Sequence, residues 1–282
     1  MLPAGIVLIL TMIYPLITVL FYSTQNVGLA GSTQSGFAGL SNFARVLASD
    51  SFPGELLHSI VVAVGSVILS VLLGLGLALL LNGNFPGRTI ARSLMILPWA
   101  IPAFVAAYAW RWIFDYQYGP LNIVWLSAFP QSAGIAPLSQ ANLALPTAIL
   151  IYTWKSIPWT TLVLLAGMQV VRDDLRDAAR IDGANRRQEF RHVTLPSIAF
   201  AMEITITLLF IWNFNWFDLM WLLTKGGPGE ATSILPIELY ERAFQVFDTG
   251  YASALGVIIL CVVIVGTAIA FRSISGRSES NL

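Results

Sequence analysis

Apolar residues in this chain run in long unbroken blocks, and polar residues gather between the blocks rather than along one face of each. Six blocks reach membrane-spanning length, roughly twenty residues apiece. They run from about Pro3 to Tyr22, Ser59 to Leu81, Ile90 to Phe114, Leu143 to Met168, Ile198 to Leu223 and Ala252 to Phe271. A helix that is apolar on all sides suits lipid rather than water. The pattern therefore predicts an all-α polytopic membrane protein: one transmembrane domain over residues 1–282, with six transmembrane helices. Pro98 and Pro102 fall inside the third block, and Pro146 and Pro158 inside the fourth. Neighbouring helices can satisfy the carbonyls that proline frees, so these positions predict kinks lining a cavity. Residues 1–22 lack a basic leader and are long for a signal-peptide core, so they read as a first span.

Composition supports the same class. The chain is 56% hydrophobic and 11% charged, with a mean hydropathy of +0.74, whereas a soluble domain carries about a quarter charged residues. Several chemistries are excluded or poorly supplied. Cys261 is the single cysteine, so no internal disulfide or thiolate cluster can form. His58 and His192 lie in different loops, a poor start for a zinc site or a histidine-assisted nucleophile. Lys155 and Lys225 are the only lysines and neither follows a glycine, so the chain has no phosphate-cradling loop of the Walker type. ATP hydrolysis is not expected of it.

Arginine placement predicts the orientation. Arg88 and Arg92 follow span two, Arg172, Arg176, Arg180, Arg186, Arg187 and Arg191 follow span four, and Arg272 and Arg277 follow span six. The alternate loops hold Arg45, Lys225 and Arg242, the last two among Glu230, Glu238, Glu241 and Asp248. Basic loops stay inside, so both termini and the segment 172–196 are expected in the cytoplasm.

That segment reads as a short helix, a break and a second short helix. Asp173 and Asp174 suit a helix N-terminus. Leu175, Ala178 and Ala179 form a narrow small apolar stripe flanked by Ile181. Gly183 is a plausible helix stop. Phe190, Val193 and Leu195 are expected to fold back on the membrane domain, with Pro196 in the first turn of span five. A solvated basic loop would explain the arginines, but not paired alanines followed by glycine and a fixed apolar exit. A small-residue face on a charged helix suits docking into another protein's groove.

Asp177, Ala178, Ala179, Gly183, Val193, Leu195 and Pro196 resemble the EAA motif of bacterial ABC-importer membrane subunits. Aspartate stands for the motif's glutamate, and valine for its isoleucine. Stretches such as "WKSIPWTTLVLLAGMQ" and "NFNWFDLMWLLTKGGPG" are similar to the sugar-uptake branch, of the maltose and glycerol-phosphate permease type. The resemblance implies a coupling helix that inserts into a cytoplasmic ATPase, with Asp177, Ala178, Ala179, Arg180, Asp182, Gly183, Leu195 and Pro196 carrying the contact. It also implies a second homologous permease subunit, two ATP-binding subunits and an extracytoplasmic solute-binding protein, in the bacterial inner membrane. Membrane lipid is the remaining neighbour, and no nucleic acid is expected. No cofactor is expected in this chain, ATP and magnesium belonging to the partner ATPases.

Ionisable groups at membrane depth usually face a cavity or a partner, and Arg111, Lys155, Glu203 and Asp218 are of this kind. Tyr152, Lys155, Ser156 and Trp159 share one face of span four. Span five offers Phe214 and Asp218, with Asn213, Asn215 and Trp216 beside them. Aromatic faces and amide groups together suit a sugar. Tyr152, Lys155, Trp159, Asn213, Phe214, Asn215, Trp216 and Asp218 are therefore the candidate substrate path, while Trp112, Trp125 and Trp221 read as interface anchors. Residues 224–251 read as an external loop with a turn at Gly226, Gly227 and Pro228. An apolar helix from Ile234 to Tyr240 then packs on the bundle or a partner. The rival reading is an ion-coupled secondary transporter using Lys155, Glu203 and Asp218. An intramembrane hydrolase is disfavoured by the placement of both histidines.

Overall fold

The computed structural model describes residues 7, 9–27, 36–170 and 173–279, with 173, 174, 176, 180 and 273–279 described as backbone alone. The expected positions 3–6 and 8 of span one, and Arg172 of the cytoplasmic segment, lie outside the described residues. A π-helical stretch Ile9–Ile13 leads into α1, Tyr14–Ser23. The antiparallel pairing of Gln25–Asn26 with Gly36–Phe37 is a departure from pure helix. Then follow α2, Ser41–Leu47, and α3, Phe52–Asn82. The third apolar block is divided into α4, Arg88–Met95, α5, Leu97–Ala100, and α6, Ala103–Ile113. After α7, Pro120–Ala128, comes α8, Ala141–Gln169. The charged segment forms α9, Asp173–Ile181, and α10, Arg186–Glu189, which a π-turn Phe190–Thr194 joins to α11, Leu195–Ser197. The fifth block comprises α12, Ala199–Phe214, and α13, Phe217–Thr224, followed by α14, Leu235–Phe244, and α15, Thr249–Glu279.

Among the described residues α3, α8 and the Thr249–Arg272 part of α15 are long and apolar enough to cross a membrane unbroken. Two of the six blocks are not single helices: the bend in the third falls at an expected proline kink, while the break in the fifth was not expected. The third turns by 92° between Ala100 and Ala103. The fifth is broken at Asn215 and Trp216, and at its start, across Ile198, the helical run Arg186–Ser197 meets α12 at a bend of 65°. Pro196 consequently sits in the separate turn α11, ahead of the bend, and not in the first turn of α12. Prolines act differently by context: α8 runs on through Pro146 and Pro158, while Pro102 borders a break.

The central pairing is α3 against α8. On α3 the buried residues Ser59, Ala63, Ser66, Ser70, Gly74 and Ala78 recur every three or four positions, a stripe of small side chains. Lipid tails are as apolar as any core side chain, so helices in a bilayer associate by close packing, and small residues allow it. Gly74 shows how close: a Cβ there would stand 2.6 Å from Thr160 Cγ2. The same device joins α15 to α12, where a Cβ on Gly266 would meet the Phe210 ring at 2.5 Å. Three core clusters result. One gathers Val62, Ile151, Tyr152, Leu219 and Met220. Another gathers Val46, Phe214, Leu235, Leu255 and Ile259. The third joins Leu81, Leu164, Met168 and Ile198, with Val193 of the charged segment packed against it.

Candidate functional site

The bend in the third block begins with one missing hydrogen. Pro102 has no N–H, so the carbonyl four residues earlier, Pro98, loses its helical donor. Ile101, preceding proline, is forced into the extended region (φ −65°, ψ 128°). Both freed carbonyls would be costly in an apolar interior. Lys155 of α8 takes them: its Nζ donates to Pro98 O at 3.3 Å and also to Ile101 O. An ammonium at the carbonyl end of a helix is also favoured by the helix dipole. The buried charge and the broken helix answer each other's need.

The second break is built without proline. Trp216 has φ −79° and ψ 70°, and Phe217 N donates to Asn215 O at 2.8 Å. That is an inverse γ-turn centred on Trp216. The Asn215 side chain donates to Ile211 O at 2.8 Å, and Tyr152 Oη donates to Trp216 O at 2.6 Å. Asp218 stands in the first turn of α13, where the dipole favours a carboxylate. Arg111 of α6 donates to Leu222 O at 3.2 Å, near the other end of that helix.

Between the two breaks lies a cavity of about 470 Å³, lined by Trp99, Lys155, Ser156, Trp159, Leu209, Ile211, Trp212, Asn213, Asn215 and Trp216. Trp159 is its pivot. It stacks on Trp99 with centroids 6.4 Å apart and meets Trp212 edge-on at 5.2 Å. Lys155 Nζ lies 5.9 Å from the Trp216 ring centre. Trp99 and Trp212 are 53% and 43% exposed, so the indole wall faces outward from this chain rather than into its core.

Five expected path residues, Lys155, Trp159, Asn213, Asn215 and Trp216, border this cavity. Three do not. Tyr152 is fully buried behind Trp216 and positions it. Phe214 belongs to the core cluster against α15. Asp218 is exposed on α13 and is not among the lining residues. Asn213 has a second duty: its Nδ2 donates to Ser66 Oγ at 2.9 Å, and Ser156 Oγ donates to Asn213 Oδ1 at 3.4 Å, joining α3, α8 and α12. The polar cluster at 213–218 has a break in the helix to explain it, which hydropathy alone conceals. Trp99 and Trp212 line the cavity without standing among the expected residues, and the one sequence signal for Trp99 is its place between two prolines.

The charged segment has the expected helix–break–helix form. Gly183 has φ +82°, and Ala184 N donates to Ala179 O at 2.9 Å, the long-range bond of a Schellman C-cap. Asn185 then caps α10, accepting from Arg187 N and Gln188 N while Gln188 Oε1 accepts from Asn185 N. Leu175, Asp177, Ala178, Ile181, Asp182 and Gly183 are exposed, with Ala179 half-buried. The side chain of Arg180 lies outside the described residues. Leu195 is half-buried and Pro196 exposed.

The segment 224–251 is folded onto the bundle. Leu235 N donates to Ser59 Oγ at 2.9 Å, Ser233 Oγ to Glu55 Oε1 at 3.2 Å, and His58 Nδ1 lies 3.0 Å from Ser233 O. Arg242 pairs with Glu238 at 2.7 Å and lies over the Tyr251 ring, as does Arg45, itself paired with Asp248. Trp221, expected at the lipid interface, instead packs on Phe217 and Tyr240, joining α13 to α14.

Interrupted apolar helices around a part-polar cavity, with a charged helix displayed beside them, define a membrane transport subunit. The profile of the family described as "Binding-protein-dependent transport system inner membrane component" matches residues 70–275, and the chain belongs to that family. It is 33% identical over 280 residues to a probable ABC transporter permease of Brucella suis, covering 99% of this chain and 96% of the relative. It is 31% identical over 267 residues to the trehalose/maltose transport system permease protein MalF of Thermococcus litoralis, covering 90% and 88%. Its fold matches a chain of a bacterial ABC transporter involved in the import of the acidic polysaccharide alginate. That match has a TM-score of 0.83 and 20% identity, covering 99% of this chain and 93% of the other. The chain is thus an inner-membrane ABC-importer permease and not itself an enzyme, which sets aside the ion-coupled alternative.

Proposed function

We propose that this permease forms half of the path for a carbohydrate or related polar solute. The observation that carries the reading is the indole wall of Trp99, Trp159, Trp212 and Trp216 set beside Asn215, Ser156 and Lys155. Indole faces complement the C–H faces of a sugar ring, and amide and hydroxyl groups complement its hydroxyls. A relative whose name gives trehalose and maltose supports the same class.

The exposure of Trp99 and Trp212 supports a second homologous permease closing the cavity from the opposite side. The exposed face of Leu175, Ala178 and Ile181 supports docking of α9 into one of two ATP-binding subunits. An extracytoplasmic solute-binding protein delivers the solute, and arginine placement supports a cytoplasmic position for both termini. ATP and magnesium act in the ATPase pair. Its closure moves α9 as a rigid body, and Val193, packed against the core cluster that includes Leu164, Met168 and Ile198, carries the movement into the bundle.

The test is ATP-dependent uptake by the assembled complex in proteoliposomes, with labelled maltose, trehalose and glycerol phosphate offered through the binding protein. Uptake of one of these, lost on Trp159→Ala with the complex intact, is expected. Transport of amino acids or inorganic ions alone would overturn the carbohydrate reading.

A further inference from the structure

Lys155 borders the cavity, yet its ammonium is already engaged. It is 5% exposed, and its Nζ is bonded to the Pro98 and Ile101 carbonyls at the 92° bend. Those are the two carbonyls that Pro102 and the extended Ile101 strip of helical donors. One residue past Pro98 stands Trp99, and one turn past Lys155 on α8 stands Trp159. These two indoles stack on each other. One side chain therefore spans the bend and the stack: it leaves α8 beside Trp159 and ends on the backbone beside Trp99.

We propose that Lys155 is a positioning residue that holds the elbow between α5 and α6 at its angle. In doing so it sets the separation of Trp99 and Trp159, and thus the width of the aromatic part of the cavity. Solute selectivity at this wall depends on Lys155 through the indoles rather than through contact with its charge. The inference rests on the cavity being the solute path, but the geometry it concerns can be measured with no solute present. Chemistry favours the assignment over packing alone. A methionine would fill nearly the same space, but it carries no donor and leaves both carbonyls unpaired in an apolar setting.

The experiment places spin labels on the two arms of the elbow, at Leu94→Cys and Phe104→Cys, in a Cys261→Ser background. The distance distribution is measured on the complete reconstituted complex without solute or nucleotide. Lys155 should give one narrow distribution, and Lys155→Met should broaden it about twofold or shift it, as expected when a charge-assisted tie is lost. Lys155→Arg, which can donate to both carbonyls, should restore the narrow form. If the methionine variant does not assemble, Lys155→Gln keeps a donor without charge and should give an intermediate width. An unchanged distribution in Lys155→Met, or in Lys155→Gln where that variant stands in for it, overturns the proposal whatever happens to uptake. Equal broadening in the methionine and arginine variants overturns it too. A sound elbow with no sugar uptake would instead count against the carbohydrate reading and leave the positioning role standing.

Discussion

Tyr152 donates its hydroxyl to the carbonyl of Trp216 at 2.6 Å, and the two rings meet edge to face with centroids 5.1 Å apart. A continuous helix thereby holds the break of its neighbour. Tyr152→Phe keeps the ring and strands a main-chain carbonyl, so it should cost about 1–3 kcal/mol. Thermal unfolding of the purified complex reads this as a lowered midpoint. An unchanged midpoint would mean that the break holds itself.

Asn213 and Ser66 make a side-chain bond of 2.9 Å between α12 and α3. Within a bilayer such bonds contribute about 1 kcal/mol. Asn213→Ala and Ser66→Ala should each destabilise, and the double variant should fall short of the sum by about 0.5–1.5 kcal/mol. Strict additivity in the double-mutant cycle would argue that the bond is absent in solution.

Gly74 faces Thr160 with no room for a methyl group. Gly74→Ala should separate α3 from α8 and cost about 1–3 kcal/mol through overpacking. Thr160→Ala in that background removes Cγ2 but leaves Cβ, which would stand 2.8 Å away, so recovery should be partial. Yield of folded complex in detergent measures both.

At Gly183 space is not the constraint, since nothing lies within 4 Å of an added Cβ; the backbone is, at φ +82°. Gly183→Val should strain the left-handed turn by about 1–2 kcal/mol, while Gly183→Asn is tolerated. ATP-driven uptake should fall at least tenfold in the valine variant and in Ala178→Arg, with membrane insertion retained, as expected for loss of a docking contact of about 1.4 kcal/mol or more. Normal uptake in both would remove α9 from the coupling route.

Glu241 on α14 provides a pH dependence. Burial, and then the Glu238 carboxylate, raise its carboxyl above the ordinary value of 4.5, against the pull of Arg242. A raised folded pKa means that the protonated form is favoured by folding. Its stabilising share is present below the ordinary carboxylate range and is lost as pH rises through the raised value. The melting midpoint should therefore fall as pH rises above the ordinary carboxylate range, and Glu241→Gln should flatten that fall. An identical slope in the variant would show that other groups set it.

Much of this was legible in the chain. Unbroken apolar blocks can only be satisfied by helices in lipid, because backbone groups there must bond within the segment. Asp177, Ala178, Ala179 and Gly183 announced a capped helix, since the requirement for a left-handed residue at a helix end is local. Lys155 and the 213–216 cluster stood out because polarity at membrane depth is costly.

Other features depended on neighbours distant in sequence. Pro98, Pro102, Pro146 and Pro158 look alike in the sequence, yet α8 runs through two of them while the third block folds back at Pro102. At the elbow the freed carbonyls are met by a lysine more than fifty residues along the chain. Tyr152 and Phe214 share the composition of the cavity-lining residues, but packing turns them into supports. Trp99 and Trp212 become part of the cavity's wall. Local chemistry determined which segments are helices, where the charged helix ends and which groups needed partners. Only the tertiary arrangement decided which partner each one found, because a buried donor or acceptor is satisfied by whatever the packing brings within reach.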